Sequence, residues 1–210
     1  MTSYDAETID SLRRFFKRFN IFMVWFWRLG LGRWMNFWPG VTGRIMVVIH
    51  TGRNTGLKRR TPVNYVYVDG EIYCTAGFGT MSDWYRNIQV NPLVEMWLPD
   101  VWWSGVAKDI SQDERRISIL RQVIIASGMV GPLFGVDPHK MTDQDFDRAT
   151  ADYRLIHIRR LQKLSGPGGP GDLAWLWIPA LIILFILILL MIYRKRARHC
   201  ASFSCNNHLQ

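Results

Sequence analysis

The residue types best suited to chemistry are concentrated between positions 51 and 62, where the sequence reads TGRNTGLKRRTP. Arginine offers a fork of donors that matches phosphate oxygens, and the threonine hydroxyls add further donors. Gly52 and Gly56 permit tight turns that present backbone N–H groups to an anion. The four cations of the segment are Arg53, Lys58, Arg59 and Arg60. The pattern therefore predicts a phosphate-binding loop.

Two other interpretations of this segment are weaker. The order of its residues differs from the G-x-x-x-x-G-K-[ST] pattern, so a Walker-type nucleotide loop is excluded. A loop with four charges is also typical of a solvated connection between two strands. Glycines and threonines at these spacings favour the anion site over that alternative.

Short strands must position this loop, and the hydrophobic pattern predicts six of them. Runs rich in β-branched and aromatic residues occupy 44–50, 62–68, 71–76, 93–98, 101–108 and 153–161. The dipeptide Asp69-Gly70 suits a two-residue hairpin turn. Helices are predicted at 83–89, 113–126 and 143–152, with Ser82 and Thr142 as N-caps. Antiparallel hairpins separated by short helices predict a mainly β fold with flanking helices, a six-stranded barrel.

An apolar run at 173–193 contains no charged side chain. At about 1.5 Å per residue, a helix of this length spans the roughly 30 Å hydrocarbon core of a bilayer. Four basic residues, Arg194, Lys195, Arg196 and Arg198, follow it directly. We therefore predict one C-terminal transmembrane helix with a basic tail.

The N-terminal residues 11–38 combine six Lys or Arg with ten Phe or Trp and contain no acidic residue. Their longest uncharged run, 19–27, is too short to cross a bilayer. A basic, aromatic helix is typical of one lying among lipid headgroups, although a helix packed on the domain has the same pattern. The net charge of +9 also indicates an anionic partner, which is membrane lipid, nucleic acid or a phosphorylated cofactor.

These features divide the chain into five predicted segments. They are an amphipathic basic and aromatic helical segment (1–40), a barrel domain (41–163), a Gly/Pro linker (164–172), a transmembrane helix (173–193) and a basic tail (194–210). The linker, SGPGGPG at 165–171, predicts a flexible connection. No nucleic-acid partner is predicted, because no recognised binding motif accompanies the basic residues.

The basic loop is followed in register by four further short motifs. They are DG at 69–70, AGFG at 76–79, DWYRN at 83–87 and NP at 91–92. Together with the loop, this series resembles the deazaflavin-dependent nitroreductase family. Its members have a split β-barrel fold related to that of flavin mononucleotide (FMN)-binding oxidoreductases. The resemblance extends over about residues 20–162.

The resemblance implies that the cofactor is coenzyme F420, a 5-deazaflavin with a phosphate in its tail. It assigns the tail phosphate to the basic loop, through Arg53, Asn54, Thr55, Gly56, Lys58, Arg59, Arg60 and Thr61. It assigns the ring to the strand end formed by Ala76, Gly77, Phe78 and Gly79, with Trp84, Tyr85 and Asn87 closing that side.

A deazaflavin supplies hydride chemistry, so the protein must orient the acceptor and supply a proton or an oxyanion donor. Phenols can do this, and Tyr85 and Tyr153 are the candidate catalytic residues, although barrel packing is the more common role for any one tyrosine. No metal site is predicted. The acidic residues Asp143, Asp145 and Asp147 lack the remaining features of a calcium loop.

The leading functional hypothesis is a membrane-anchored oxidoreductase that transfers a hydride from reduced F420 to a lipophilic acceptor. The acceptor would be a quinone, an unsaturated lipid or a nitro compound. One alternative keeps the barrel and replaces F420 with FMN or haem. Another is a non-catalytic membrane protein that binds a cofactor or a fatty acid. We expect a single-pass protein of the cell membrane with a cytoplasmic catalytic domain, and related barrels indicate a homodimer as one arrangement.

Overall fold

A closed barrel forms the centre of the protein. The computed structural model describes residues 18–35, 43–99 and 101–206. Its strands are β1 (Ile45–Thr51), β2 (Lys58–Val68), β3 (Glu71–Ala76), β4 (Leu93–Leu98), β5 (Val101–Asp109) and β6 (Arg154–Leu164). All neighbours pair antiparallel, in the order β1-β2-β3-β6-β5-β4. The predicted split-barrel class, mainly β with flanking helices, is confirmed.

Helices connect and flank these strands. The described helices are α1 (18–28), α2 (Gly32–Met35), α3 (Asp83–Val90), α4 (Arg116–Ala126), α5 (Val130–Leu133), α6 (Asp143–Ala149) and α7 (Trp177–Asn206). Thr142 caps α6 as predicted, because its side chain accepts from the N–H of Asp145. Ser82 precedes α3 without a side-chain cap, so the prediction of that cap is wrong.

The barrel interior is filled by alternate residues of each strand, because successive side chains of a strand point to opposite faces. Met46 and Val48 of β1 belong to the inner core. Val47 and Ile49 point outward and pack with Trp27 of α1. Helix α4 covers the outer face of β2 and β3.

The connection between β1 and β2 is shorter than the sequence predicts. Thr51 pairs with Lys58 and His50 pairs with Arg59, so β2 begins at Lys58 and the loop contains only residues 52–57. The second half of the basic segment is therefore strand, in which neighbouring side chains point to opposite faces. Because residues 58–60 are all charged, the hydrophobic pattern does not predict the first part of β2.

The connections between strands gather at two ends of the barrel. We call the first the loop end: it carries the loop 52–57, the exit of β3 at 77–79, helix α3 and the entry to β6. The opposite end carries the β2–β3 turn, where Asp69 and Gly70 have φ angles of 53° and 80°, as the predicted hairpin turn requires. All the segments predicted to bind the cofactor lie at the loop end.

The Gly/Pro segment after β6 has no helix or strand, as predicted, but contacts that the sequence does not predict fix its position. The N–H of Gly171 donates to the carbonyl of Trp27 at 3.0 Å. Arg28 donates to both carboxylate oxygens of Asp172 at 2.7–3.1 Å. Gly169 packs against Trp102, where a Cβ would lie 2.8 Å from the ring. This segment is thus held against α1 and β5.

By their contacts the residues divide into two units, Met1–Asp172 and Leu173–Gln210. The second unit contains an apolar helical stretch, Ala174–Arg194, of 21 residues with a mean hydropathy of 2.9 and no residue buried. Its length and composition suffice to cross a membrane. The predicted N-terminal segment is described only for 18–35, and the side chains of the basic tail after Arg194 lie outside the described residues.

Candidate cofactor site

The loop 52–57 is closed by its own hydrogen bonds. The N–H of Gly52 donates to the carbonyl of Leu57 at 2.9 Å, and the N–H of Gly56 donates to the carbonyl of Gly52 at 2.8 Å. The N–H of Thr55 donates to the same carbonyl, and its hydroxyl accepts from the N–H of Leu57. Since these amides are engaged within the loop, the predicted set of free backbone donors is not present. Side chains must supply most of the donors for an anion.

Arg53 connects the loop to α3. Its backbone N–H and its Nη1 donate to Oδ1 of Asn87 at 3.1 and 3.0 Å. Its Nη2 donates to the carboxylate of Asp83 at 3.0 Å. The guanidinium that the sequence assigns to a phosphate is therefore engaged with the helix, and Arg53 fixes the position of the loop.

Arg60 and Lys58 point to the outer face of the barrel. Arg60 is the cross-strand partner of Ile49, and its guanidinium lies 5.1 Å from the ring centroid of Trp97. The Nζ of Lys58 contacts Oε1 of Glu95 at 2.5 Å. Both cations belong to the predicted phosphate set, but strand alternation turns them away from the inner face of β2.

Arg59 and Thr61 lie on the inner face of β2. Their cross-strand partners are His50 and Val48, whose side chains are buried. Among the described residues, the side chain of Arg59 forms no hydrogen bond or ion pair, so its guanidinium donors are available to a ligand. The Oγ1 of Thr61 lies 3.1 Å from Nε2 of His50. An unengaged guanidinium next to a hydroxyl is a donor set that suits a phosphate.

His50 links the inner face of β2 to α3 and was not predicted to belong to the site. Its Nδ1 lies 3.1 Å from Nδ2 of Asn87, and its ring is buried. Burial, followed by the positive charge of Arg59, lowers the pKa of His50 to about 4. The imidazole is therefore neutral at neutral pH and acts as a hydrogen-bonding group.

The strand exit that is predicted to face the ring lies next to Tyr153. Ala76 at the end of β3 is buried, whereas Gly77 is exposed. A Cβ at Gly77 would lie 3.9 Å from the Tyr153 ring. Phe78 makes an edge-to-face contact with Phe134, with ring centroids 6.2 Å apart. An exposed backbone segment with aromatic rings beside it suits a flat ring.

Trp84 and Tyr85 of α3 belong to the barrel core. The hydroxyl of Tyr85 donates to Oδ2 of Asp109 at 2.5 Å. The other oxygen of Asp109 accepts from the N–H and the hydroxyl of Ser111 at 2.8 and 2.5 Å. Of the three predicted residues of α3, the structure brings only Asn87 to the loop.

The surroundings of Tyr85 do not favour donation of its proton to a substrate. Burial, with the hydrogen bond to Asp109, raises the pKa of Tyr85 to about 12. Burial alone would raise the pKa of Asp109, but hydrogen bonds from Ser111 and Tyr85 outweigh it, so that its pKa is lowered. Asp109 is thus an ionised acceptor that holds the phenol proton. Tyr153, next to Gly77, remains the catalytic candidate with access to the predicted ring position.

Sequence comparison decides which family the barrel belongs to. The model of the F420H2-dependent quinone reductase family matches residues 23–128, about half of the chain. The chain belongs to this family. It is therefore an F420-dependent oxidoreductase, and F420, the first of the cofactors predicted from the sequence, is confirmed. No curated protein matches the chain significantly.

Solved structures similar to this reductase have low sequence identity. An F420-H2 dependent reductase (FDR-A) is 19% identical, with 55% of this chain and 94% of that chain covered and a TM-score of 0.40. A second F420 reductase is 17% identical, with 61% and 94% covered and a TM-score of 0.40. The haem storage protein HutZ from Vibrio cholerae is 15% identical, with 61% and 89% covered and a TM-score of 0.40.

The loop end of the reductase fits coenzyme F420. The tail phosphate needs positive charge and hydrogen-bond donors, and Arg59 and Thr61 offer both on one face of β2. The ring needs a flat apolar surface, which the exposed Gly77 and the Tyr153 ring offer. The exposed tip of the loop, at the same end, consists of Asn54, Thr55 and Gly56.

Two partners of the predicted site residues, His50 next to Asn87 and Asp109 next to Tyr85, were missed by sequence reasoning. His50 lies in a strand run, where a buried histidine is more often structural, and Asp109 ends a strand without a motif. The one available signal for His50 is its alternation with Met46 and Val48, which places it on the inner face of β1.

Proposed function

We propose that this reductase transfers a hydride from reduced F420 to a lipophilic acceptor at the loop end of the barrel. The observation that carries the proposal is the unengaged guanidinium of Arg59 on the inner face of β2, at the same end as the exposed Gly77. When bound, the cofactor supplies the hydride. The chain binds the tail phosphate through Arg59 and Thr61, and Arg53 with Asn87 holds the loop in place.

The acceptor is a quinone, an unsaturated lipid or a nitro compound. The family description names a quinone, and the aromatic pair Phe78 and Phe134 offers apolar surface next to Gly77. Reduction of a quinone places negative charge on an oxygen, which a nearby donor stabilises. The phenol of Tyr153 is the group that we assign to this role.

The proposal includes attachment to the cell membrane. The apolar stretch Ala174–Arg194 is the anchor. Helix α1 buries Met23 and Trp27 and exposes Phe22 and Trp25, an arrangement that suits a helix in contact with lipid headgroups. The catalytic domain is cytoplasmic in this proposal, and a homodimer stays a prediction.

Adjacent arginines on opposite faces of β2 provide a matched test. Arg59→Gln and Arg60→Gln each remove one charge, but only the first removes the donors on the inner face. We expect oxidised F420, titrated by its own fluorescence into the full chain in detergent micelles, to bind Arg59→Gln at least about tenfold more weakly. Arg60→Gln should bind within about twofold of the unmodified chain.

The two variants distinguish the effect of the position of Arg59 on F420 binding from the effect of net charge. Equal losses in the two variants would show that net charge attracts the cofactor and that Arg59 has no special position. A failure of the unmodified chain to bind F420 would refute the proposed function itself.

A further inference from the structure

His50 makes two side-chain hydrogen bonds whose directions can be worked out from their partners. The Oδ1 of Asn87 accepts from the backbone N–H and from Nη1 of Arg53 at 3.1 and 3.0 Å. Two donors on this atom identify it as the oxygen of the amide. The amide nitrogen of Asn87 therefore faces Nδ1 of His50 at 3.1 Å.

This orientation determines the tautomer of the imidazole. An amide nitrogen only donates, so Nδ1 of His50 must accept and carries no proton. A neutral imidazole with an unprotonated Nδ1 carries its proton on Nε2. The Nε2–H then donates to Oγ1 of Thr61, 3.1 Å away.

The same reasoning extends to Thr61. Its oxygen already accepts from His50, so its own proton must go to another acceptor. Among the described residues, the Thr61 hydroxyl forms no second hydrogen bond that would take this proton. Arg59, which lies two residues before Thr61 on the same face of β2, is also unengaged. Both groups therefore present donors on the same face of β2.

We propose that His50 is a positioning residue for the phosphate of the cofactor. This role rests on the proposed function. The tautomer of His50 keeps the Thr61 hydroxyl as a donor toward the ligand, and it keeps Asn87 oriented to hold Arg53. Two hydrogen bonds, from Asn87 to Nδ1 of His50 and from Nε2 of His50 to Thr61, thus couple α3 and the loop that it holds to the inner face of β2. His50 acts through these neighbours and does not itself contact the phosphate.

The charges around His50 agree with a neutral ring. Arg59 on β2 and Arg53 on the loop are cations, and among the described residues Asp83 on α3 is an anion that partly offsets their effect on His50. A protonated Nδ1 would place two donors, its own N–H and the Asn87 amide, against each other. Folding therefore favours the neutral form, with Nδ1 free to accept.

The binding test compares four variants of the full chain with oxidised F420 as the probe. Thr61→Val removes the hydroxyl and keeps the shape, and we expect affinity to fall by about tenfold to a hundredfold. Thr61→Ser keeps the hydroxyl and should bind within about twofold. His50→Phe should weaken binding at least as much as Thr61→Val does, because it also removes the acceptor of Asn87. The double variant should be no weaker than His50→Phe, because the contribution of Thr61 depends on His50.

Melting temperatures of all four variants identify any that fail to fold. Losses that multiply in the double variant would overturn the inference, since the two residues would then act independently. Equal binding by Thr61→Val and Thr61→Ser would also overturn it.

A second measurement needs neither a variant nor the cofactor. In the unmodified chain labelled with ¹⁵N-histidine, we expect the His50 ring at neutral pH to show a protonated Nε2 and an unprotonated Nδ1. The opposite tautomer would refute the inference whether or not F420 binds. If the expected tautomer is found and the unmodified chain does not bind F420, the proposed function fails and the hydrogen-bond assignment stands.

Discussion

At the residue scale, the two candidate proton donors have different partners. The phenol of Tyr85 is buried and donates to the ionised Asp109 at 2.5 Å. Tyr153 is half-buried and lies next to the exposed Gly77. We therefore assign Tyr85, whose proton is held by Asp109, to stabilisation of the fold. We assign Tyr153, which lies next to the predicted ring position, to the substrate that accepts the hydride.

Replacement by phenylalanine should therefore affect the two positions differently. We expect Tyr85→Phe to lower the free energy of unfolding by about 1–3 kcal/mol, because Asp109 loses a donor, and to leave kcat nearly unchanged. Tyr153→Phe should lower kcat, because it removes the phenol next to the predicted ring position. Urea denaturation and F420H2 oxidation with a soluble quinone measure the two effects. A large loss of kcat in Tyr85→Phe at unchanged stability would contradict this assignment.

The phosphate loop shows how far prediction reaches at this scale. Its position between two strands and its charge could be predicted from residue types alone. The separation of Arg59 from Arg60 could not, because it depends on pairing of Thr51 with Lys58. The contact of His50 with Asn87 joins residues 37 positions apart, and no local pattern contains that information.

At the element scale, the turn between β3 and α3 is set by a close approach of two backbones. Gly79 has a φ of 54°, a conformation that L side chains rarely adopt. A Cβ at this position would overlap the carbonyl oxygen of Asp152, just before β6. Gly79 therefore allows the exit of β3 and the entry to β6 to meet beside the predicted ring position.

Alanine at Gly79 should disturb this turn, and alanine at Gly77 serves as the control. We expect Gly79→Ala to lower the free energy of unfolding by about 2 kcal/mol or more, from backbone strain and overlap with Asp152. Gly77→Ala, which makes only an ordinary contact with the Tyr153 ring, should cost less than about 1 kcal/mol. Denaturation followed by tryptophan fluorescence measures both. Similar losses of unfolding free energy in the two variants would show that the close approach of Gly79 to Asp152 does not require glycine.

The elements themselves were predictable where side-chain patterning is strong. All six strands and the larger helices show hydrophobic periodicity, so their approximate positions agree with the structure, except for the charged beginning of β2. The Gly/Pro segment illustrates the opposite case. Gly169 fits under the Trp102 ring because it has no side chain, and such packing leaves no hydrophobic signal in the sequence.

At the scale of the whole molecule, β6 runs from the end of the barrel that carries the predicted cofactor residues to the opposite end. Strand β6 starts at the loop end with Arg154 and finishes at the other end with Leu164. All residues assigned to F420 precede residue 173 and belong to the first unit. Cofactor binding should therefore depend on the first unit alone, and membrane attachment mainly on the second.

Removal of residues 173–210 separates these two properties. We expect the shortened chain to bind F420 with the affinity of the full chain, because Arg59, Thr61 and their neighbours are retained. It should leave the membrane fraction in about 1 M salt, where the attraction of a basic surface helix to anionic lipid is screened. The full chain should resist the same wash, because a membrane-spanning helix is held by its apolar surface. Sedimentation and fluorescence titration measure the two properties, and release of the full chain by salt would refute the anchor.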